Sequence, residues 1–225
     1  MNYYILANGE GKRWKNYKGV PKHLIEIDGE TLIDRTLRLL VKYADKNDKA
    51  YLCGHYATLY AVNLRTVSKT KREVFEEIAG HAGTEPFVIL YGDCYYTEAI
   101  IKDITERPIW RFDEYFCAGP NPHTGCTWPE GYVHRVADPE WFRDKMHQLN
   151  TCQQIRELDK GKDWFIHWWL LGEREMDKLV KRGVHYTNED HDIPWCDETD
   201  DFDFPEDLET FCKVTGHKCT NKEQA

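Results

Sequence analysis

No Cys-x-x-Cys pair occurs in this sequence, although it has eight cysteines, at 53, 94, 117, 126, 152, 196, 212 and 219. Scattered thiols argue against a zinc site. With no basic-then-apolar leader ahead of the first apolar run, they point to reduced cysteines in a cytoplasmic protein. No apolar run approaches the roughly 20 residues that span a bilayer, so no membrane partner is expected. Lysine and arginine are missing between Thr187 and Glu209, where eleven of the 39 acids lie, leaving 28 acids against 30 basic residues elsewhere. So nearly neutral a remainder excludes a general nucleic-acid coat, whose affinity rests on neutralising phosphates. Two glycine-loop motifs are missing as well. The third glycine of a dinucleotide fingerprint is replaced by Trp14, and the Ser or Thr of a Walker A loop by Arg13. No Ser-His-Asp or Cys-His arrangement stands out for nucleophilic catalysis.

What is present fits a globular domain. The 225 residues suit a single core, and 41% hydrophobic and 13% aromatic residues are far from a disordered composition. Residues 3–7 read as a buried strand, followed by a long loop to Pro21, a short strand in "HLIEI" and a turn at Asp28-Gly29. Leu32, Ile33, Leu37 and Leu40 recur at helical spacing behind a Thr31 cap. "KAYLCG" and "PFVILYGD" read as central strands, while "KREVFEEIAGHAG", "TEAIIKDITE" and "PEDLETFCKV" read as helices. Further helices are predicted over 138–158 and 172–182. The aromatic stretches "PIWRFDEYFCAG" and "GYVHRV" are extended and, by their alternation, mostly core. Strands alternating with helices predict an α/β fold, a mostly parallel sheet with helices on both faces.

The chemistry begins after the first strand. Gly9 and Gly11 leave backbone N–H groups open to phosphate oxygens, with no Cβ in the way. Arg13 offers a planar fork of donors and Lys22 a compact point charge, both suited to phosphate. A second candidate is Gly92-Asp93, where a buried strand stops. A carboxylate at that edge of a parallel sheet points into the crevice where such folds bind ligands.

Taken together, "ILANGEGKR", a spacer, "GVPKHLIEIDGETLI", then "VILYGD" and finally "DFDFPEDL" resemble the sugar-phosphate nucleotidyltransferases. Asn8 stands where that family has a small residue, and Phe204 where it has threonine. The resemblance implies the Rossmann-like nucleotide-diphospho-sugar transferase type of fold. Leu6, Ala7, Asn8, Gly9, Gly11, Lys12, Arg13, Lys22 and Gly92 would then hold the nucleotide, with Arg13, Lys22 and Asp93 catalytic. Asp93 and Asp203, with Asp201 as the alternate, would be ligands of Mg2+. The implied partners are a nucleoside triphosphate and a small phosphorylated acceptor.

One domain is expected over 1–214, with 107–190 on the acceptor side and 215–225 a polar tail. The expected activity joins a nucleoside triphosphate to a sugar phosphate or similar phosphorylated alcohol, releasing pyrophosphate. The alternative is a glycosyltransferase of the related fold using a nucleotide-sugar donor, its acceptors extending to a modified nucleic-acid base. That class usually carries Asp-x-Asp after the strand, where this chain has Asp93-Cys94-Tyr95. A non-catalytic nucleotide-binding module is the third reading.

Overall fold

The computed structural model describes residues 1–9, 11, 13–15, 17–54, 62–64, 71–109, 111–117, 121–126, 130–151 and 192–219. In chain order the strands are β1 (Asn2–Ala7), β2 (Glu26–Ile27), β3 (Glu30–Thr31), β4 (Lys49–Gly54), β5 (Val62–Leu64), β6 (Phe87–Tyr91), β7 (Cys94–Tyr95), β8 (Phe112–Cys117), β9 (Glu130–Val136), β10 (Asp192–Pro194) and β11 (Asp200–Asp201). The helices are α1 (Leu32–Tyr43), α2 (Lys71–Ala82), α3 (Glu98–Glu106), α4 (Pro139–Thr151) and, labelled here α5, Pro205–Thr215. Helix 172–182, expected from the sequence, lies outside the described residues, as does the end of the one expected over 138–158.

Seven strands form one sheet in the order β10-β8-β9-β6-β1-β4-β5. Only β9 runs against its neighbours, β6 and β8; the remaining pairs are parallel. Strand β6, "FVILY", is buried at every position because it lies between β1 and β9 with both faces covered. Each such side chain contributes about 1.5–3 kcal/mol of burial. Alternation along β1 sends the Tyr4 ring against His81 of α2 and against Phe87. Tyr3 and Ile5 take the opposite face. Helix α2 packs with α4, and α1 packs with α3, giving the two outer layers.

The helix starts follow from their caps. Thr31 accepts a hydrogen bond from Asp34 N at 3.1 Å, and Thr97 one from Ile100 N at 3.3 Å. In α5, Pro205 opens the helix, Asp207 accepts from Phe204 N at 2.6 Å, and Gly216 closes it in the left-handed region.

A second, smaller core holds Trp14, Ile25, Ile27, Leu32, Tyr95, Phe202, Leu208 and Phe211. It cements α5 and the first loop to the hairpin β2–β3. The aromatic middle is core as expected, since Phe112, Tyr115 and Tyr132 are fully buried, whereas Trp110 and Trp128 lie outside the described residues. Past α5, residues 216–219 are docked rather than a loose tail. Asp28 N–H donates to Lys218 O at 2.7 Å, Lys218 N–H donates to Asp28 Oδ1 at 2.8 Å, and Cys219 bridges to Ile27. No helix of the described residues is long and apolar enough to cross a membrane.

Candidate functional site

The ends of β1 and β6 lie side by side, Leu6 opposite Tyr91, and Gly92 N–H donates to Leu6 O at 2.9 Å. A Cβ at Gly92 would run into that same carbonyl, so only glycine lets the two chain ends touch. Asn8 and Gly9, directly after Leu6 and Ala7 at the end of β1, therefore leave the sheet beside Gly92-Asp93. Beyond them Gly11 adopts φ +58°, and its carbonyl accepts from Trp14 N at 2.9 Å and Lys15 N at 3.2 Å. The tryptophan that breaks the dinucleotide pattern is the loop's anchor: Trp14 is buried, and its Nε1 donates to Val20 O at 3.1 Å. Lys12 falls outside the described residues.

The expected strand in "HLIEI" is instead a 3-10 turn over Lys22–Leu24 followed by β2. Pro21 has no N–H for a ladder, and its carbonyl accepts from Leu24 N at 3.0 Å. The turn carries Lys22 inward. Its Nζ donates to Asp93 Oδ2 at 3.1 Å and to Asp203 Oδ1 at 3.2 Å, and its side chain is only 11% exposed. Arg13 Nη1 donates to the other oxygen, Asp203 Oδ2, at 2.5 Å, and its guanidinium lies 5.4 Å from the Phe204 ring centroid. Burial works against the Lys22 charge, but Asp93 and Asp203 outweigh it and hold the ammonium above the ordinary lysine pKa. Neighbouring His23 is pushed down to about 4 by burial, and the Lys22 charge adds to that, so it is neutral at pH 7.

Thus residues from β1's loop, β6's end and the approach to α5 meet at one place. Asp203 is brought there because β11 pairs antiparallel with β7, Asp201 opposite Cys94 and Asp200 opposite Tyr95. Phe202 N–H then reaches Asp93 O at 3.4 Å. Asp203 shares Lys22 with Asp93, whereas Asp201 faces Glu130 and Asp200, single carboxylate oxygens of the three all lying within 4.8 Å of one another, and it also feels the charges of Asp93, Asp203 and Lys22. Burial first, and Asp201 next, push Asp200 up to about 8, and burial with Asp200 pushes Glu130 up to about 7. Asp201 is raised by burial and by Glu130. Asn121 Nδ2 supports this group, donating to Asp200 Oδ1 at 2.7 Å and to Tyr132 Oη at 3.1 Å.

Glu130 and Asp200 do not stand out in the sequence. No local pattern marks them, because their proximity depends on β9 and β11 meeting across some 70 residues of chain. As a donor set, Asp93 and Asp203 fit magnesium. They offer hard carboxylate oxygens already arranged around one cationic atom, and magnesium needs only one or two such groups beside water and phosphate oxygens.

The sequence matches no family model and no curated protein. Solved structures are nevertheless similar along nearly its whole length. The inositol-1-phosphate CTP transferase from T. maritima is 15% identical, with 95% of this chain and 96% of that chain covered and a TM-score of 0.55. A protein from Bacillus anthracis described as a glucose-1-phosphate thymidylyltransferase, crystallised with sucrose, is 12% identical, with coverages of 95% and 94% and a TM-score of 0.59. The CTP:phosphocholine cytidylyltransferase from Streptococcus pneumoniae is 11% identical, with coverages of 95% and 98% and a TM-score of 0.54. At such identities the likeness is one of architecture: this chain has the fold of the sugar-phosphate nucleotidyltransferases.

Proposed function

We propose that the protein is a magnesium-dependent nucleotidyltransferase that couples a nucleoside triphosphate to a small phosphorylated acceptor and releases pyrophosphate. The observation that carries this reading is the meeting of Arg13, Lys22, Asp93 and Asp203 beside the glycine loop, in a fold shared with such enzymes. The three similar structures are named for transfer to inositol-1-phosphate, glucose-1-phosphate or phosphocholine, all phosphorylated alcohols, which supports that acceptor class.

In the reaction, a phosphate oxygen of the acceptor attacks the α-phosphorus of the triphosphate. The bond from the α-phosphorus to the bridging oxygen breaks, and pyrophosphate leaves. A phosphate monoester has its second pKa near 6, so the nucleophile is already ionised at neutral pH and no general base is required. The difficulty is bringing anion against anion. Asp93 and Asp203 would hold magnesium, which when bound supplies charge neutralisation at the phosphates. Lys22 and Arg13 would then turn from these carboxylates to the phosphate chain, a point charge and a fork respectively. Gly9 and Gly11 would let main-chain N–H groups approach the phosphates, and Leu6, Ala7 and Asn8 would hold the nucleoside.

The test is incubation with ATP, CTP, GTP and UTP, each paired with sugar phosphates and phosphorylated alcohols, together with a parallel panel of nucleotide sugars. Pyrophosphate release that needs both substrates and vanishes in Asp93→Asn supports the reading. Release of nucleoside diphosphate from a nucleotide sugar would replace it with a glycosyltransferase. A rise in melting temperature with triphosphate and magnesium, without product from any acceptor, would reduce the protein to a binding module.

A further inference from the structure

Between the end of β6 and the site carboxylates the sheet contains an irregularity. Strands β6 and β9 pair from Phe87–Val136 to Leu90–Val133, so the next partners in register are Tyr91 and Tyr132. The ladder stops one pair short of them. Tyr91 N–H donates instead to the hydroxyl oxygen of Tyr96 at 2.8 Å, and that hydroxyl donates to Tyr132 O at 2.7 Å. Tyr96 is fully buried. The chain thus leaves β6 at Tyr91, turns through Gly92-Asp93, forms β7 and returns to close a loop of six residues with one phenol. The closure holds Asp93 at its tip.

The bridge borders the turn that carries Asp93. Past it the end of β6 stays paired with β1, where Gly92 N–H donates to Leu6 O at 2.9 Å. The turn places Asp93 beside Lys22, and β7, which ends next to Tyr96, pairs with β11, which in turn delivers Asp203.

We infer that Tyr96 is a positioning residue, whose hydroxyl sets the spacing of Asp93 and Asp203 and so tunes their hold on the metal–triphosphate complex. The inference rests on the nucleotidyltransferase reading. Groups that orient metal ligands from behind typically govern affinity by 10–100-fold. Tyr96→Phe keeps the ring and removes the bridge together with the hydroxyl's contact with the Cys94 thiol, leaving one buried N–H and one buried C=O to rearrange.

The experiment titrates the four manganese–nucleoside triphosphate complexes into wild type, Tyr96→Phe and Tyr115→Phe by calorimetry. Tyr115 is the control. It loses a comparable 2.7 Å hydroxyl bond, to Asp103 on α3, and a 3.4 Å contact from Arg135, neither of them with Asp93 or Asp203. The expected result is affinity 10–100-fold weaker in Tyr96→Phe, with the manganese concentration for half-maximal rate raised by the same factor and the acceptor KM unchanged. Tyr115→Phe lowers the melting temperature without that change. Equal affinities in wild type and Tyr96→Phe overturn the inference alone. Failure of wild type to bind any of the four complexes overturns the proposed function and this inference with it. Should Tyr96→Phe not fold, amide exchange at Tyr91 of wild type decides. Slowing by tenfold or more on adding the bound complex supports the positioning role, and unchanged exchange refutes it.

Discussion

Replacing Lys22 by methionine removes one charge, keeps the length of the side chain and tests the central geometry. The ammonium contacts Asp93 at 3.1 Å and Asp203 at 3.2 Å and is largely shielded from water. Breaking a fully buried ion pair costs about 3–5 kcal/mol, because a charge is stranded. Here the loss is smaller: Asp203 keeps Arg13, and the Asp93 side chain is 32% exposed. A loss of about 2 kcal/mol follows, or a melting temperature lower by about 4–8 °C for a chain of this size. Magnesium will then stabilise the variant more than the wild type, since it neutralises two carboxylates that no longer share a lysine. Turnover falls by about 100-fold or more, as for loss of one preorganised charge at a site of developing negative charge. The assays are thermal unfolding with and without magnesium, and pyrophosphate release. Turnover within threefold of wild type, or equal magnesium stabilisation of the two proteins, would refute the reasoning.

Three further outcomes follow from the same coordinates. Gly92→Ala drives a methyl into Leu6 O and destabilises the fold by about 1–3 kcal/mol, with loss of nucleotide binding; a calorimetric titration like that of wild type would contradict it. Asp200, at about 8, and Glu130, at about 7, keep protons in the folded protein that the unfolded chain releases near pH 4. Between those values the folded state binds more protons, so stability falls as pH rises from about 4 to about 8. In Asp200→Asn the drop in stability between pH 6 and pH 8 becomes shallower by on the order of 1–2 kcal/mol, and parallel melting curves against pH would exclude this. His217→Ala removes the 2.6 Å contact with Asp28, the 3.2 Å contact with Glu198 and the stack on Phe211. Its melting temperature drops by about 2–5 °C, and an unchanged value would show that the His217 side chain adds nothing to the fold.

Much of the architecture is legible in the amino-acid order because its signals are local. A continuous apolar run ending in Gly-Asp marks β6, and Thr31 and Thr97 announce the helices behind them. Lys22, Asp93 and Asp203 are visible as motifs, though their shared contact depends on pairing between segments over 100 residues apart. The misjudged element near Pro21 shows a limit of alternation. "HLIEI" alternates well, yet a proline ahead of it starts a 3-10 turn that aims Lys22 inward, and pairing takes only its last two residues. Glu130, Asp200 and the Tyr96 bridge carry no local mark at all, since each acquires its surroundings from a distant strand. Nor does the polar composition of 216–219 disclose its docking, which rests on the Lys218 main chain and the His217 ring meeting Asp28, a residue near the other end of the chain.

The cleft's own charges have a kinetic consequence. Arg13 and Lys22 stand two against two with Asp93 and Asp203, so these four side chains cancel before anything arrives. Long-range attraction from them is weak, and encounter rates will change little with ionic strength. A visitor that brings its own countercharge, as a metal-complexed triphosphate would, adds less negative charge to the site than the bare polyanion would. On the proposed reading, exchange of ion pairs rather than long-range steering would favour the complexed ion over a bare polyanion.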